Sequence, residues 1–394
     1  MKKALDDFKA GRFVIVTDDE TRENEGDLFV LGEHLTTEQM GFMVRHTSGV
    51  ICAAITEPIA DRLQLPFMVK RNQDNKQTAF TISVDAKAGL TTGISAAERA
   101  NTLRALAAEN TLPTDLVRPG HVFPLIASSG GLSARRGHTE AAVVMAAAVG
   151  AKPVVALSEL VNDDGSMMRG QALVDFAKTH QIEIISIEEL AKEFGQISFD
   201  VSREIRWAKL PRELNDWQIA IYRNNFGIEH AILKFGEPNG KPLVRIHSEC
   251  LTGDTLGSAR CDCGAQLEKA FAEIEKHGHG YILYLRDHEG RGIGLSAKIE
   301  SYILQDAGFD TVDANLKLGH QIDERDYQDA AAILKLLDIK ELSLLTNNPQ
   351  KVSHLTALGF EINRVAIHGP VNASNEYYLK TKQEKLKHEL GIRS

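Results

Sequence analysis

The sequence predicts an α/β fold of layered α+β type, in two domains that are each a mixed sheet packed with helices. Three observations predict it. The 394 residues suit two domains at about 100–200 residues each. Strand-like and helix-like segments alternate in both halves, which favours layered sheets and helices. Hydrophobic content of 43% and charged content of 25% are those of an ordinary globular chain.

In chain order, Arg12–Thr17 (RFVIVT) and Ala79–Val84 (AFTISV) have strand composition. Ala97–Glu109 and Glu140–Val149 have helical patterning. In the second half, Tyr281–Leu285 (YILYL) reads as a strand running into a Gly-rich turn. A helix follows, with Leu295, Ile299, Tyr302 and Ile303 at helical spacing. Ala330, Ile333, Leu334 and Leu337 line one face of a later helix, and Leu342–Leu345 reads as a buried strand. Between the halves, Lys192–Pro211 lacks a clean period and contains Gly195 and Pro211. It reads as the connection, giving domains 1–200 and 201–394. The basic tail Lys380–His388 reads as a solvated terminal helix.

Charge and composition exclude several classes. Net charge is −9; residues 1–200 hold 20 Lys+Arg against 27 Asp+Glu, and the remainder 25 against 27. Neither half has the basic balance of a nucleic-acid binder. No apolar run approaches the roughly 18 residues of a membrane span. Lys2 and Lys3 are followed by Asp6, Asp7 and Lys9 where a signal peptide needs an apolar core, so a cytoplasmic location is expected. Four cysteines are too few for a disulfide framework, and three of them, Cys250, Cys261 and Cys263, are clustered. Such a cluster points to metal.

The first constellation begins at Thr17–Asp27 (TDDETRENEGD), which places six carboxylates in eleven residues directly after an apolar strand. Strand ends are where α/β folds put ligand loops. Clustered carboxylates suit a hard cation such as Mg²⁺, and Arg22 suits a phosphate. Arg135–Glu140 (RRGHTE) opens an Ala-rich helix whose N-terminus favours anions. Arg118–Leu125 (RPGHVFPL) adds His121 in a Pro/Gly turn.

The motifs DDETRENEGD, FMVRHTSGVIC, TTGISAAERA, RPGHVFPL and RRGHTEAA occur in order across residues 11–170. Together they resemble 3,4-dihydroxy-2-butanone-4-phosphate synthase, an early riboflavin-pathway enzyme. The resemblance implies removal of one carbon of ribulose 5-phosphate as formate, with Mg²⁺ (or Mn²⁺). By motif, it makes Glu23 and His138 the metal ligands, and His121 and Glu159 the proton-transfer residues. Substrate contacts fall on Arg22, Glu23, Asp27, Arg135, Arg136, Gly137, His138, Thr139 and Glu159. Glu98 and Val144 depart from the family, outside the metal and phosphate motifs.

The second constellation is Arg245–Gln266 (RIHSECLTGDTLGSARCDCGAQ). Three thiolates bind Zn²⁺ well and leave a fourth position for water, as in a catalytic site. His247 or Asp262 could instead close the tetrahedron. Glu289–Leu295 (EGRGIGL) is a Gly-rich strand-to-helix turn carrying Arg291, Asp323 and Arg325 form a charged pair, and Thr346–Lys351 (TNNPQK) again follows a buried strand.

In combination, CLTGD, GSARCDCG, HEGRGIGL, LQDAGFDTVDAN, DERDY and LLTNNPQK resemble GTP cyclohydrolase II across about 205–370. That family opens the imidazole ring of GTP and releases formate and pyrophosphate. The resemblance implies Zn²⁺ on Cys250, Cys261 and Cys263. GTP contacts fall on Arg245, Ile246, His247, Ser248, Glu249 and Gln266, then on Glu289, Gly290, Arg291, Thr311, Thr346 and Lys351. Asp323 becomes the proton acceptor. Arg325 is assigned attack at the α-phosphate, although a protonated guanidinium is better suited to stabilising that phosphate.

Both halves thus point to a bifunctional riboflavin-biosynthesis enzyme acting on two small molecules, with no nucleic-acid or membrane partner. By resemblance it is a homodimer. The alternatives are the same fold with one half catalytically silent and regulatory, or a nucleotide-binding scaffold; a scaffold predicts broken ligand sets, and every Cys, His and acid required is present.

Overall fold

The structure, a computed structural model, describes residues 1–19, 22–70, 72–199, 205–372 and 375–386. The chain divides into two compact units, Met1–Val201 with Asn225–Gly227, and Ser202–Asn224 with Ile228–Ser394. Each is built on a seven-stranded sheet.

The N-terminal unit contains β1 (Val14–Thr17), β2 (Gly26–Leu31), β3 (Cys52–Ile55), β4 (Val84–Ala86), β5 (Leu116–Ile126), β6 (Val154–Glu159) and β7 (Glu183–Ser186). Their order is β4-β5-β3-β6-β2-β1-β7. β3 runs parallel to β5 and β1 to β7; the other pairings are antiparallel. All six residues of β2 are buried, as expected of a strand covered on both faces. Alternate residues enter two cores: Leu28 and Val30 pack in one, Phe29 and Leu31 in the other. The helix Ala96–Ala107 covers the first face through Ala100, Leu103 and Leu106. The helix His138–Ala148 covers the second and is buried along nearly its whole length, so its apolar, Ala-rich composition reflects a central position. Val144 lies fully buried in that helix. Glu98 closes a capping box, its backbone N–H donating to Ser95 Oγ at 3.2 Å.

The strand expected over Ala79–Val84 is not formed as such. Phe80 and Thr81 make isolated bridges, and the regular strand starts only at Val84. Thr81 donates its N–H to the Pro124 carbonyl, but Pro124 has no N–H to return, so the antiparallel ladder stops there.

The C-terminal unit contains β8 (Ala208–Pro211), β9 (Asp216–Arg223), β10 (Glu229–Phe235), β11 (Leu243–Ser248), β12 (Gly280–Leu285), β13 (Glu341–Leu345) and β14 (Glu361–Val365). Their order is β14-β13-β11-β12-β10-β9-β8. β14, β13, β11 and β12 are mutually parallel, and β10, β9 and β8 extend the sheet in antiparallel fashion. The carboxyl ends of β11, β12 and β13 therefore meet at one edge, the usual ligand edge of such sheets.

Three expectations are corrected here. The connection is shorter than Lys192–Pro211, because Lys192–Phe194 ends the helix Ile187–Phe194 and Ala208–Pro211 is edge strand β8; residues 200–204 lie outside the described residues. The helix Leu295–Asp306 buries Lys298 and Ser301, while Leu295, Ile299 and Ile303 are exposed, Ile303 at 64%. Its inner face meets a polar cavity, which leaves the apolar stripe outward. The basic tail is not simply solvated: in the helix Glu376–Leu386, Leu379 is buried and Lys382 pairs with buried Asp262. Lys387 and His388 lie outside the described residues.

Candidate active sites

In the N-terminal unit the register decides which side chains meet. Cys52, at the start of β3, pairs with Phe123 on β5 and Leu157 on β6. Two residues beyond these partners, His121 on β5 and Glu159 on β6 sit on the two strands that flank β3, past its first residue. Asp27 on β2 pairs directly with Glu159. All three share a face with Phe29, Cys52, Phe123 and Leu157, the face covered by the helix His138–Ala148. The N-terminus of that helix thus arrives at the same sheet edge as the β1–β2 hairpin loop.

That loop is organised by Asp18. Its Oδ1 accepts the Glu25 N–H at 2.9 Å, its Oδ2 accepts the Glu23 N–H at 3.0 Å, and the Arg22 guanidinium lies 3.1 Å away. Glu23 Oε2 lies 3.7 Å from His138 Nδ1, and Asp27 Oδ1 lies 3.7 Å from His138 Nε2. Asp18, Glu23 and His138 bring one ligand atom each within 4.8 Å of one another. Burial pushes the Asp27 carboxyl up to about 7. Burial also works against a charged His138, but Asp27, Glu23 and Asp18 outweigh it and raise the imidazole to about 9. The His138 contact holds Glu23 below the usual carboxylate range. His138 Nε2 and Asp27 Oδ1 are buried with no hydrogen-bond partner among the described residues. An oxygen and imidazole set with such orphaned atoms fits a hard divalent cation.

The remaining residues are placed as follows. Arg135 is clamped by Glu140 at 2.6 Å beside the helix N-terminus, whose first residues Gly137, His138 and Thr139 are buried. Arg136 is exposed and makes no described contact with this cluster. Glu159 accepts a hydrogen bond from Ser48 Oγ at 2.7 Å. His121 is held by Asp85, which contacts Nδ1 at 2.7 Å and accepts the His121 N–H at 2.9 Å. Gly93 packs over this dyad, where a Cβ would lie 2.6 Å from His121 Nδ1. Asp18 and Asp85 were not singled out from sequence. Asp18 stood unresolved among its acidic neighbours, and Asp85 sits in no motif.

In the C-terminal unit the Sγ atoms of Cys250, Cys261 and Cys263 lie within 4.8 Å of one another. Gly253 is required beside them, since a Cβ there would lie 2.7 Å from Cys261 Sγ. Contacts from Cys261 and Cys263 hold the Cys250 thiol far below its ordinary value, and the Cys250 contact pushes Cys261 up to about 11. Among the described residues neither His247 nor Asp262 brings a ligand atom within 4.8 Å of all three sulfurs. His247 Nε2 bonds Asp254 Oδ2 at 2.9 Å, and Asp262 is engaged by Gln266 at 2.5 Å and Lys382 at 3.0 Å. Asp254 also receives the Tyr284 hydroxyl at 2.9 Å and the Cys250 N–H at 3.0 Å, tying β11 and β12 to the thiol loop. Three soft donors fit Zn²⁺.

A cavity opens beside the trio at the carboxyl ends of β11, β12 and β13. Arg245 enters it from β11, donating to Gln266 Oε1 at 2.8 Å and to the Leu345 carbonyl at 2.9 Å. Ser248 and Glu249 hold His288 through bonds of 3.1 and 3.2 Å. Glu289 accepts the Leu251 N–H at 2.7 Å and the Lys298 ammonium at 2.6 Å. Lys298 also reaches Cys250 Sγ at 3.2 Å, so a cation sits against the thiolate. Gly290, Thr311 and Thr346 line the wall. Lys351 donates to the Ile246 carbonyl at 2.7 Å, and its burial, then Arg245 and Arg325, push its ammonium well below the ordinary value. Arg325 bonds both Asp323 oxygens, at 2.8 and 2.5 Å. Burial raises the Asp323 carboxyl, but Arg325 outweighs it and holds it low. Both Nη atoms of Arg291 are buried with no hydrogen-bond partner among the described residues.

One expected contact is not brought in: the Ile246 side chain lies in the core behind the sheet, leaving only its carbonyl near the site. Lys298, Asp254 and Lys382 were missed. Lys298 was masked by the apolar spacing of its helix, and Lys382 by the polarity of the tail.

Fold and sites define the class: a two-unit α/β enzyme with a separate ligand cluster at one sheet edge of each unit. Residues 2–193 match the family model of 3,4-dihydroxy-2-butanone 4-phosphate synthase, and 202–366 that of GTP cyclohydrolase II. The riboflavin biosynthesis protein RibBA of Bacillus cereus is 48% identical over 100% of this chain and 99% of its own. Those of Salinispora tropica and Chlamydia trachomatis are 47% and 45% identical, over 99% and 100% of this chain and 98% and 93% of their own. A solved 3,4-dihydroxy-2-butanone 4-phosphate synthase in complex with two magnesium ions is 45% identical, covering 50% of this chain and 98% of its own at a TM-score of 0.48. On the sequence matches, the chain belongs to the bifunctional riboflavin-biosynthesis family that joins 3,4-dihydroxy-2-butanone 4-phosphate synthase, a lyase, to GTP cyclohydrolase II, a hydrolase. Among the described residues no helix is long and apolar enough to cross a membrane.

Proposed function

We propose that residues 1–200 convert ribulose 5-phosphate to 3,4-dihydroxy-2-butanone 4-phosphate and formate. Residues 201–394 open GTP to 2,5-diamino-6-ribosylamino-4(3H)-pyrimidinone 5′-phosphate, formate and pyrophosphate. The observation that carries this reading is the segregation of two chemically different ligand sets, oxygen with imidazole in one unit and three thiols in the other.

In the first site, Glu23 and His138 hold Mg²⁺ or Mn²⁺. The bound cation supplies polarisation of the sugar's carbonyl and hydroxyl groups. His121, oriented by Asp85, takes a proton from the carbon acid, and Glu159 moves a proton on the other side of β3. Arg135, Gly137 and Thr139 hold the phosphate at the helix N-terminus, where unpaired N–H groups favour an anion; Arg136 joins them from the exposed side. Arg22 and Asp27 orient the sugar.

In the second site, Cys250, Cys261 and Cys263 hold Zn²⁺. When bound there, it would supply Lewis acidity. Arg291, with two orphaned Nη atoms, and buried Lys351 bind the triphosphate. Arg245, His247, Ser248, Glu249, Gln266, Glu289, Gly290, Thr311 and Thr346 shape the remaining wall, and the Ile246 carbonyl positions Lys351. Asp323 accepts a proton. Arg325, paired with that carboxylate, stays cationic and stabilises charge at the α-phosphate. The enzyme works in the cytoplasm as a homodimer, and the exposed stripe Leu295, Ile299 and Ile303 is apolar surface of the kind that dimers cover.

Separate formate assays with each substrate on one preparation test the reading. Formate from both is expected, and formate from only one would make the other unit silent.

A further inference from the structure

The helix Glu376–Leu386 lies beyond the matched GTP cyclohydrolase II region, which ends at residue 366. It is nevertheless anchored at the nucleotide cavity. Asn347, on the cavity wall, exchanges hydrogen bonds with the Ile367 backbone. Gly369 packs on Asp262, where a Cβ would lie 2.9 Å from the Asp262 Cβ. Leu379 and Thr381 are buried, and Lys385 pairs with Asp310 and Asp313. These contacts deliver Lys382 to the cavity, with its side chain 12% exposed.

There Lys382 Nζ lies 3.0 Å from Asp262 Oδ1, and the Asp262 side chain is 2% exposed. Asp262 Oδ2 accepts from Gln266 Nε2 at 2.5 Å, and Gln266 Oε1 accepts from Arg245 at 2.8 Å. The order of this chain fixes the Gln266 amide, because its nitrogen must face the carboxylate and its oxygen the guanidinium. Removing the cation leaves Asp262 an uncompensated buried charge, so the carboxylate that orients Gln266 depends on Lys382.

We propose that Lys382 is a positioning residue for GTP, acting through Asp262 to hold Gln266 and Arg245 in their binding orientation. The C-terminal helix is thus a working wall of the second active site. The proposal rests on the reading that this cavity takes GTP, and GTP turnover by the unmodified enzyme tests that reading on its own.

In the full zinc-loaded chain, K382M is expected to raise the KM for GTP about tenfold. Its kcat, zinc content and ribulose 5-phosphate turnover should stay at the parent level. K382R, which keeps the cation, should recover most of the affinity. Added to D262N, K382M should raise KM no further, since both break one link. An unchanged KM in K382M, with the parent turning over GTP, overturns the proposal. So does loss of zinc and of the folding transition in K382M and K382R alike, the mark of a purely structural strap. A parent enzyme that does not turn over GTP overturns the reading beneath it.

Discussion

The Asp85 carboxylate grips His121 twice, contacting Nδ1 at 2.7 Å and accepting the backbone N–H at 2.9 Å. One acid thereby fixes both the ring and the strand that carries it, leaving Nε2 as the nitrogen available for proton transfer. Asp85→Asn should lower ribulose 5-phosphate turnover by about 10²-fold and leave GTP turnover unchanged. Parent-level turnover would remove Asp85 from the proton-transfer arrangement.

Glu23 and His138 are assigned to one cation. Glu23→Gln keeps the shape of the loop but weakens the hard anionic donor. Formate release from ribulose 5-phosphate should vanish at ordinary Mg²⁺ while formate release from GTP continues. Near-parent turnover at saturating Mg²⁺ would make the metal assignment wrong.

Cys261→Ser should strip zinc and abolish GTP ring opening together, sparing the N-terminal reaction. Cys52→Ser should spare both metals, because Cys52 is buried on β3 and burial holds its thiol protonated. Metal analysis should find one Zn²⁺ per parent chain. A zinc-free Cys261→Ser protein with full GTP turnover would reduce the trio to a structural clip.

Acid should weaken the C-terminal unit. Burial, then Arg325 and Lys351, push His288 down to about 3, whereas an unfolded histidine titrates near 6.5. Between those values the unfolded chain binds the proton and the folded chain does not, so stability falls as pH drops below 6.5. The loss at pH 5 is about 2 kcal/mol. His288→Gln should flatten this dependence in thermal melts at pH 5, 6 and 7; an unchanged slope would assign the effect to other groups.

The exposed stripe on the helix Leu295–Asp306 gives a solution test. For the proposed homodimer, light scattering should find two chains in the parent particle and a shift toward one in Ile303→Asp. A dimer that persists would place the interface elsewhere.

Motif chemistry was legible wherever one short segment holds the whole set. Cys250, Cys261 and Cys263 needed no fold to suggest zinc, and the helix-opening RRGHTE needed none to suggest an anion site. The alternation of strands and helices likewise follows from local periodicity, because burial on one face writes its period into the chain. Ala79–Val84 escaped because ladder continuation depended on Pro124, more than forty residues away.

What the sequence by itself determined is therefore the inventory: two α/β halves, the ligand types, and the order of the motifs. Only the tertiary structure decided which members meet. The register of β3 against β5 and β6 puts His121 and Glu159 on the strands that flank it, toward the same end, and a one-residue slip would turn them to the opposite face. The fold brought Asp85 to His121, Lys298 to Cys250 and Lys382 to Asp262. These pairs lie 36, 48 and 120 residues apart in the chain. Such contacts have no local period, because they are set by how strands and helices pack over long separations.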